Sequence, residues 1–221
     1  MNYVFHFGPI LQHSDALLWG AARTMQLTVA SVAIGLVIGL FGALGRSFGS
    51  RWISRPIAAY VEIIRNTPLL VQLYFVFFSL PLIGLRLSSD QAAILALSIH
   101  LGAYAIEILR AGIESIPAGQ IEAAKSLGLS RRLIVLHVIL MPAIRAVYPA
   151  LNSQFVLQLL GTSIVSAIAA EELTAVANNL SMQTFRNFEI YIVIAIIYFA
   201  LVQTCAVIFR LAAHFFFRWK A

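Results

Sequence analysis

Gln154 and Gln158 stand four residues apart in an otherwise apolar run, Thr162 follows one turn later, and Asn152 and Ser163 lie beside them. On a helix the first three share a face. Amides and hydroxyls with no general base beside them break no bonds. Their chemistry is hydrogen bonding, to a passing polar solute or to another helix. Amides at membrane depth are costly unless they meet a partner or water. One glutamine reads as interhelical glue, whereas a row of them reads better as the lining of a path. A second polar group, Glu107, Arg110 and Glu114, falls at i, i+3 and i+7 on one stripe. A membrane glutamate can relay protons, but an arginine one turn away makes a mutual salt bridge the simpler account. A third pair, Glu171 and Glu172, is either a solvated helix end or a contact for basic residues of an external partner.

The stretch 117–128 differs in kind, being a short polar segment between long apolar ones. Pro117 suits a first helical position, Gly128 suits the residue just past a helix end, and Ser130 can cap the next helix. The resulting element has about three turns, too few to be stable alone in water, so it needs a partner surface. Glu122 near its start and Lys125 toward its end complement the helix dipole, while Ile121, Ala124 and Leu127 offer a narrow, small-residue face. A short rod tied at both ends to long helices can turn movement of a docked partner into rotation of those helices. The plainer alternative is an amphipathic helix resting on lipid headgroups, for which this face is small and its basic content low.

The elements that must position these groups follow from composition. With 61% apolar residues, 11% charged residues and a mean hydropathy of +0.89, 221 residues have too little polar surface to solvate a globular protein. An integral membrane protein is expected. A ~30 Å bilayer core needs about 20 apolar residues per helix, and five uncharged runs qualify. The expected spans are 20–45, 57–82, 90–112, 133–170 and 189–213, in one transmembrane domain covering 1–221. Barrel strands would alternate polar and apolar residues, and these runs do not, so the fold class is all-α. Arg46, Arg51 and Arg55 crowd the first loop, Arg110, Lys125, Arg131 and Arg132 the third, and Arg210, Arg218 and Lys220 the tail. Positive loops stay cytoplasmic, which sets the amino terminus outside and the carboxyl terminus and Glu122 inside. The net charge of +6 is thereby explained by topology, and nucleic acid loses its claim as a partner.

Other features are less specific. Residues 1–18 lack a basic-led apolar core, so the first span is expected to serve as the targeting signal. The single Cys205 excludes an internal disulfide, and the five histidines show no ligand spacing, so no metal site is expected. Gly35 and Gly39, with Gly42 and Gly45 following, form a small-residue stripe that lets another helix approach closely. Pro68 would leave carbonyls free partway through the second span, which fits either a kinked, cavity-lining helix or plain bending for packing. The fourth span is too long for one perpendicular crossing and is expected to tilt, to bend at Pro142 and Pro149, or to extend into the cytoplasm.

The chain resembles the permeases of bacterial ABC importers, in the branch that takes up polar amino acids. The resemblance runs from about Leu18 to Arg210 and rests on Glu122-Ala123-Ala124, Gly128 and Val138-Ile139-Leu140, with Met141 standing where the family has proline and Pro142 following. Three further stretches match: Arg65-Asn66-Thr67-Pro68-Leu69-Leu70-Val71-Gln72, Ala103-Tyr104-Ala105-Ile106-Glu107-Ile108-Leu109-Arg110, and Thr162-Ser163-Ile164-Val165-Ser166. The resemblance implies the type I ABC importer permease fold, with five transmembrane helices and a cytoplasmic coupling helix at 117–128. It implies that the ATPases dock on the Glu122 helix, with Glu122, Ala123, Ala124 and Gly128 as the coupling residues. Within such a transporter the candidate substrate path is Thr67, Gln72, Gln154, Gln158, Thr162 and Ser163, and the candidate binding-protein contact, where the helix end is not merely solvated, is Glu171 and Glu172.

Implied partners are two cytoplasmic ABC ATPases, a second permease subunit, a periplasmic solute-binding protein, the lipid of the bacterial inner membrane and a small amino acid. ATP and Mg belong to the ATPases, since this chain has no phosphate-binding loop and no cofactor is expected in it. It is read as a transport subunit and not an enzyme. Leu160-Gly161 replaces a charged pair common in relatives, and Gln154 stands where some carry Glu, which leans toward a polar, net-neutral zwitterion or broad specificity. A secondary transporter driven by an ion gradient through Glu107 is the competing class, against which five spans and no inverted repeat count.

Overall fold

A computed structural model describes residues 4–216, and among these there is no strand. After a four-residue turn at Gly8–Leu11 come α1 (Ser14–Phe48), α2 (Arg51–Arg65), α3 (Leu69–Ile83), α4 (Ser89–Glu114), α5 (Ala118–Ser126), α6 (Arg131–Ile168), α7 (Leu173–Thr184) and α8 (Asn187–Phe216). α1, α4, α6 and α8 are each long and apolar enough to cross a membrane. Arg218 and Lys220, used above for orientation, lie outside the described residues.

α1 and α4 form the core pair, and the glycine stripe explains why. A Cβ on Gly35 would lie 2.8 Å from the Leu101 side chain and one on Gly39 would lie 2.5 Å from Ala105, while one on Gly42 would overlap Ile106. Backbone contact this close replaces the hydrophobic drive that lipid removes. The start of α4 is fixed by a reciprocal cap: Ser88 Oγ accepts from the Gln91 N–H, and Gln91 Oε1 accepts from the Ser88 N–H. Of the most apolar window of α4, 56% is buried, against 6% for α8, so within this subunit α8 is an outer helix.

The expected second span, 57–82, is not one helix. α2 and α3 meet at 110° across Asn66, Thr67 and Pro68. Pro68 takes an extended conformation (φ −63°, ψ 139°) and ends any helical continuation. Side chains bond the carbonyls around the break, of which Glu62 O also keeps the Asn66 N–H. Asn66 Nδ2 donates to Glu62 O, Thr67 Oγ1 to Ile63 O, and Gln72 Nε2 to both Ile64 O and Thr67 O, all at 2.8–3.0 Å. A hydrogen-bonded corner therefore replaces the kink.

α6 runs for 38 residues with no break at Pro142 or Pro149, where bending was one of the three alternatives for so long a span. Pro142 has no N–H for the carbonyl four residues back, and the turns just before it, Ile134–Leu140, widen to π geometry, in which bonding skips that requirement. Its far end, Thr162–Ile168, tightens to a 3₁₀ helix and stops at Ala169, whose φ is +56°. α7 went unforeseen. It packs Leu173, Ala177 and Leu180 against Ile10 and Leu17 on one side and Ile190 and Ile194 of α8 on the other.

Candidate functional site

α5 is closed at its end by a Schellman motif. The Leu129 N–H donates to Ala124 O (3.2 Å) and the Gly128 N–H to Lys125 O (2.9 Å), with Gly128 at φ +72°. Ser130 then caps α6 by accepting from the Leu133 N–H at 3.4 Å. The face offered by α5 is not the expected one. Ala124 is buried and Ile121 turns inward with it, against Ile113, Ile116, Ile134, Val138 and Ile139 of the flanking segments. Glu122, Ala123 and Lys125 remain exposed, and Leu127 is 79% exposed. The helix thus spends one apolar face on its own subunit and leaves the opposite face open.

Above it, Glu107, Arg110 and Glu114 pair as expected, and Arg46 of α1, missed in the sequence, joins them. Arg46 Nη1 and Arg110 Nη2 each lie 2.8 Å from a Glu107 oxygen, and Arg110 Nη1 lies 2.6 Å from Glu114 Oε2. Two cations and two carboxylates neutralise one another where the end of α1 meets the end of α4, which makes the group a tie between helices.

The residues assigned to a substrate path are largely consumed by structure. Thr67 and Gln72 build the α2–α3 corner, with a further bond between Gln72 Nε2 and Thr67 Oγ1 (2.9 Å), and Gln72 Oε1 lies 3.1 Å from His100 Nδ1. Gln158 is 2% exposed and donates to Ser31 Oγ of α1 (3.1 Å) and Leu97 O of α4 (2.9 Å), so it knits three helices. Thr162 is fully buried and donates to Leu159 O, and Ser163 to Leu160 O, both at 2.7 Å. Gln154 is nearly buried on the same face and has no hydrogen bond among the described residues.

Glu171 is exposed, whereas Glu172 is fully buried. Glu172 Oε1 accepts from the Ala175 N–H (2.8 Å), capping α7, and Oε2 accepts from the Tyr198 hydroxyl (2.7 Å). A carboxylate committed in this way cannot also present itself to an external protein, so Glu172 is withdrawn as a binding-protein contact.

One polar site was overlooked. Val61, Glu62, Arg65 and Asn66 of α2 and the corner, with Tyr104 of α4, line a cavity of about 240 Å³. The Arg65 guanidinium carbon sits 5.3 Å from the Tyr104 ring centroid, and Asn66 Nδ2 lies 3.1 Å from Glu62 Oε2. Two charges within an expected span were the available signal, and the long uncharged run after Arg65 masked it.

Most of the chain also matches a known family. Residues 35–220 match the binding-protein-dependent transport system inner membrane component family. The chain belongs to that family. It is 36% identical over 209 residues to the glutamine transport system permease protein GlnP of Escherichia coli (strain K12), covering 93% of this chain and 95% of that one. It is 36% identical over 205 residues to the octopine transport system permease protein OccM of Rhizobium meliloti, covering 89% and 84%. Among solved structures, an amino acid ABC transporter crystallised with histidines superposes with a TM-score of 0.88 at 36% identity, covering 98% of this chain and all of that one. The fold is that of the type I ABC importer permeases, and the chain is a membrane-embedded transport component and not an enzyme.

Proposed function

We propose that this chain is the permease subunit of an ATP-driven importer of a polar amino acid in the bacterial inner membrane, with its amino terminus periplasmic and its carboxyl terminus cytoplasmic. Two cytoplasmic ABC ATPases dock on the α5 helices of a pair of permease subunits, and a periplasmic binding protein delivers solute to the opposite side. ATP and Mg are bound by the ATPases. The observation that carries this reading is α5 itself, a short rod locked to its own subunit by Ala124 and Ile121 and presenting Glu122, Ala123 and Leu127 outward. An exposed leucine beside exposed small residues suits insertion into a groove of another protein. The amino acid class is supported by the substrates in the names of the glutamine and octopine relatives. On the external side only Glu171 remains as a contact for the binding protein, and Gln154 remains the path candidate with unused hydrogen-bonding capacity.

The test is reconstitution with the cognate ATPase and binding protein in vesicles. Uptake of a labelled amino acid that requires ATP and persists when the proton gradient is collapsed is expected. Uptake driven by a proton gradient without ATP would replace this reading with the secondary-transporter one.

A further inference from the structure

We propose that the cavity between the end of α2 and Tyr104 receives the charged head of an α-amino acid, its carboxylate on Arg65 and its ammonium on Glu62. The inference rests on the amino acid reading given above. Arg65 and Glu62 are three residues apart on one helix, yet they form no ion pair with each other or with any other described residue. The guanidinium carbon lies 5.3 Å from the Tyr104 ring centroid, and its nitrogens make no hydrogen bond among the described residues, which leaves its fork of N–H donors open. Asn66 takes up one oxygen of Glu62, leaving acceptor capacity on the carboxylate.

The depth makes this cost informative. Tyr104 stands ten residues from Glu114 at the end of α4, about 15 Å along the helix at its usual rise. Glu62, Arg65 and Asn66 are exposed from the subunit near that level, where charge against lipid is expensive and marks a water-lined route or a ligand. An amino acid head offers one anionic and one cationic group a few atoms apart, and the cavity offers the complement. A guanidinium accepts a carboxylate through two parallel hydrogen bonds, and a carboxylate accepts from an ammonium. At about 240 Å³ the cavity falls just below the ~300 Å³ of the smaller ligand pockets, a size for a compact solute.

The platform is also rigid. The three residues before Pro68 hang on the corner stapled by Asn66, Thr67 and Gln72, and the Tyr104 ring is backed by His100 at 5.0 Å. A site built on fixed backbone holds its geometry without paying ordering entropy on binding. The contrast with Gln158, Thr162 and Gln72 is direct, since those groups are polar, deep and already satisfied.

The experiment uses the assembled permease–ATPase complex in detergent without the binding protein, so that external selection is removed. The probes are the L-amino acid that wild-type vesicles import fastest and its α-methyl ester, which lacks the carboxylate charge. Arg65→Gln is expected to weaken binding of the amino acid about tenfold or more and to bring its affinity level with that of the ester. Glu62→Gln is expected to weaken both probes alike, and Arg65→Lys to restore part of the preference for the free acid. A purely structural role for the Arg65–Tyr104 contact would lower both probes equally in Arg65→Gln, and that result overturns the site. Unchanged binding in the Arg65→Gln and Glu62→Gln complexes, or no binding by a wild-type complex that imports the amino acid, overturns it too. Vesicles that import no amino acid at all would remove the substrate reading first, which separates the two failures.

Discussion

Two sets of polar groups divide this molecule. Gln72, Gln158, Thr162 and Glu172 lie deep, and each is hydrogen-bonded inside the chain. Glu122 on α5 and the Glu62–Arg65 pair at the end of α2 are exposed, with charge that the subunit does not neutralise by an ion pair. Polarity at depth is therefore a poor guide to a site on its own. The informative property is hydrogen-bonding capacity that the fold has not already used.

Substitutions can break or sharpen that division. The largest loss of stability is expected for Glu172→Ala, about 3 kcal/mol in detergent unfolding, because the Tyr198 hydroxyl and the Ala175 N–H both lose their acceptor. Gln158→Leu should cost about 1 to 2 kcal/mol, since the Ser31 hydroxyl loses a donor and α1, α4 and α6 lose a shared tie, with the substrate preference of uptake unchanged. For Gly128→Ala, strain at φ +72° predicts about 1 kcal/mol by the same measurement. Glu122→Arg should change unfolding by less than about 0.5 kcal/mol and yet abolish ATP-driven uptake and ATPase co-purification. If Glu122→Arg destabilised the subunit as much as Glu172→Ala, or if Gln158→Leu altered substrate preference while leaving stability untouched, the division would fail.

Much of the architecture was legible because lipid imposes simple demands on sequence. Apolar runs placed the long helices, the Gly35–Gly39 spacing foretold close approach to another helix, and Gly128 and Ser130 marked the two ends of the linker between α5 and α6. What failed was the assignment of partners. A row of Gln154, Gln158 and Thr162 has the same spacing whether it faces water or another helix, and only the position of Ser31 and Leu97 decides the matter. Glu171 and Glu172 are indistinguishable as letters, yet one faces out and the other caps α7. The 110° corner was hidden because Asn66, Thr67 and Gln72 answer the very carbonyls whose exposure would have argued against a break. The inward turn of Ile121 and Ala124 was missed because a narrow apolar stripe looks alike from either side.

The tethers of α5 are short: three residues separate it from Glu114 of α4 and four from Arg131 of α6. With Ala124 seated on Ile134 and Ile139 as well, the rod has no slack against the lower end of α6. A load applied at Leu127 is then carried into a 38-residue helix as a lever carries torque, without first being lost in loop motion. Under the proposed coupling, the stiffness of a few buried alanine and isoleucine contacts, more than the length of any loop, would set how faithfully a stroke delivered to α5 reaches the far end of α6.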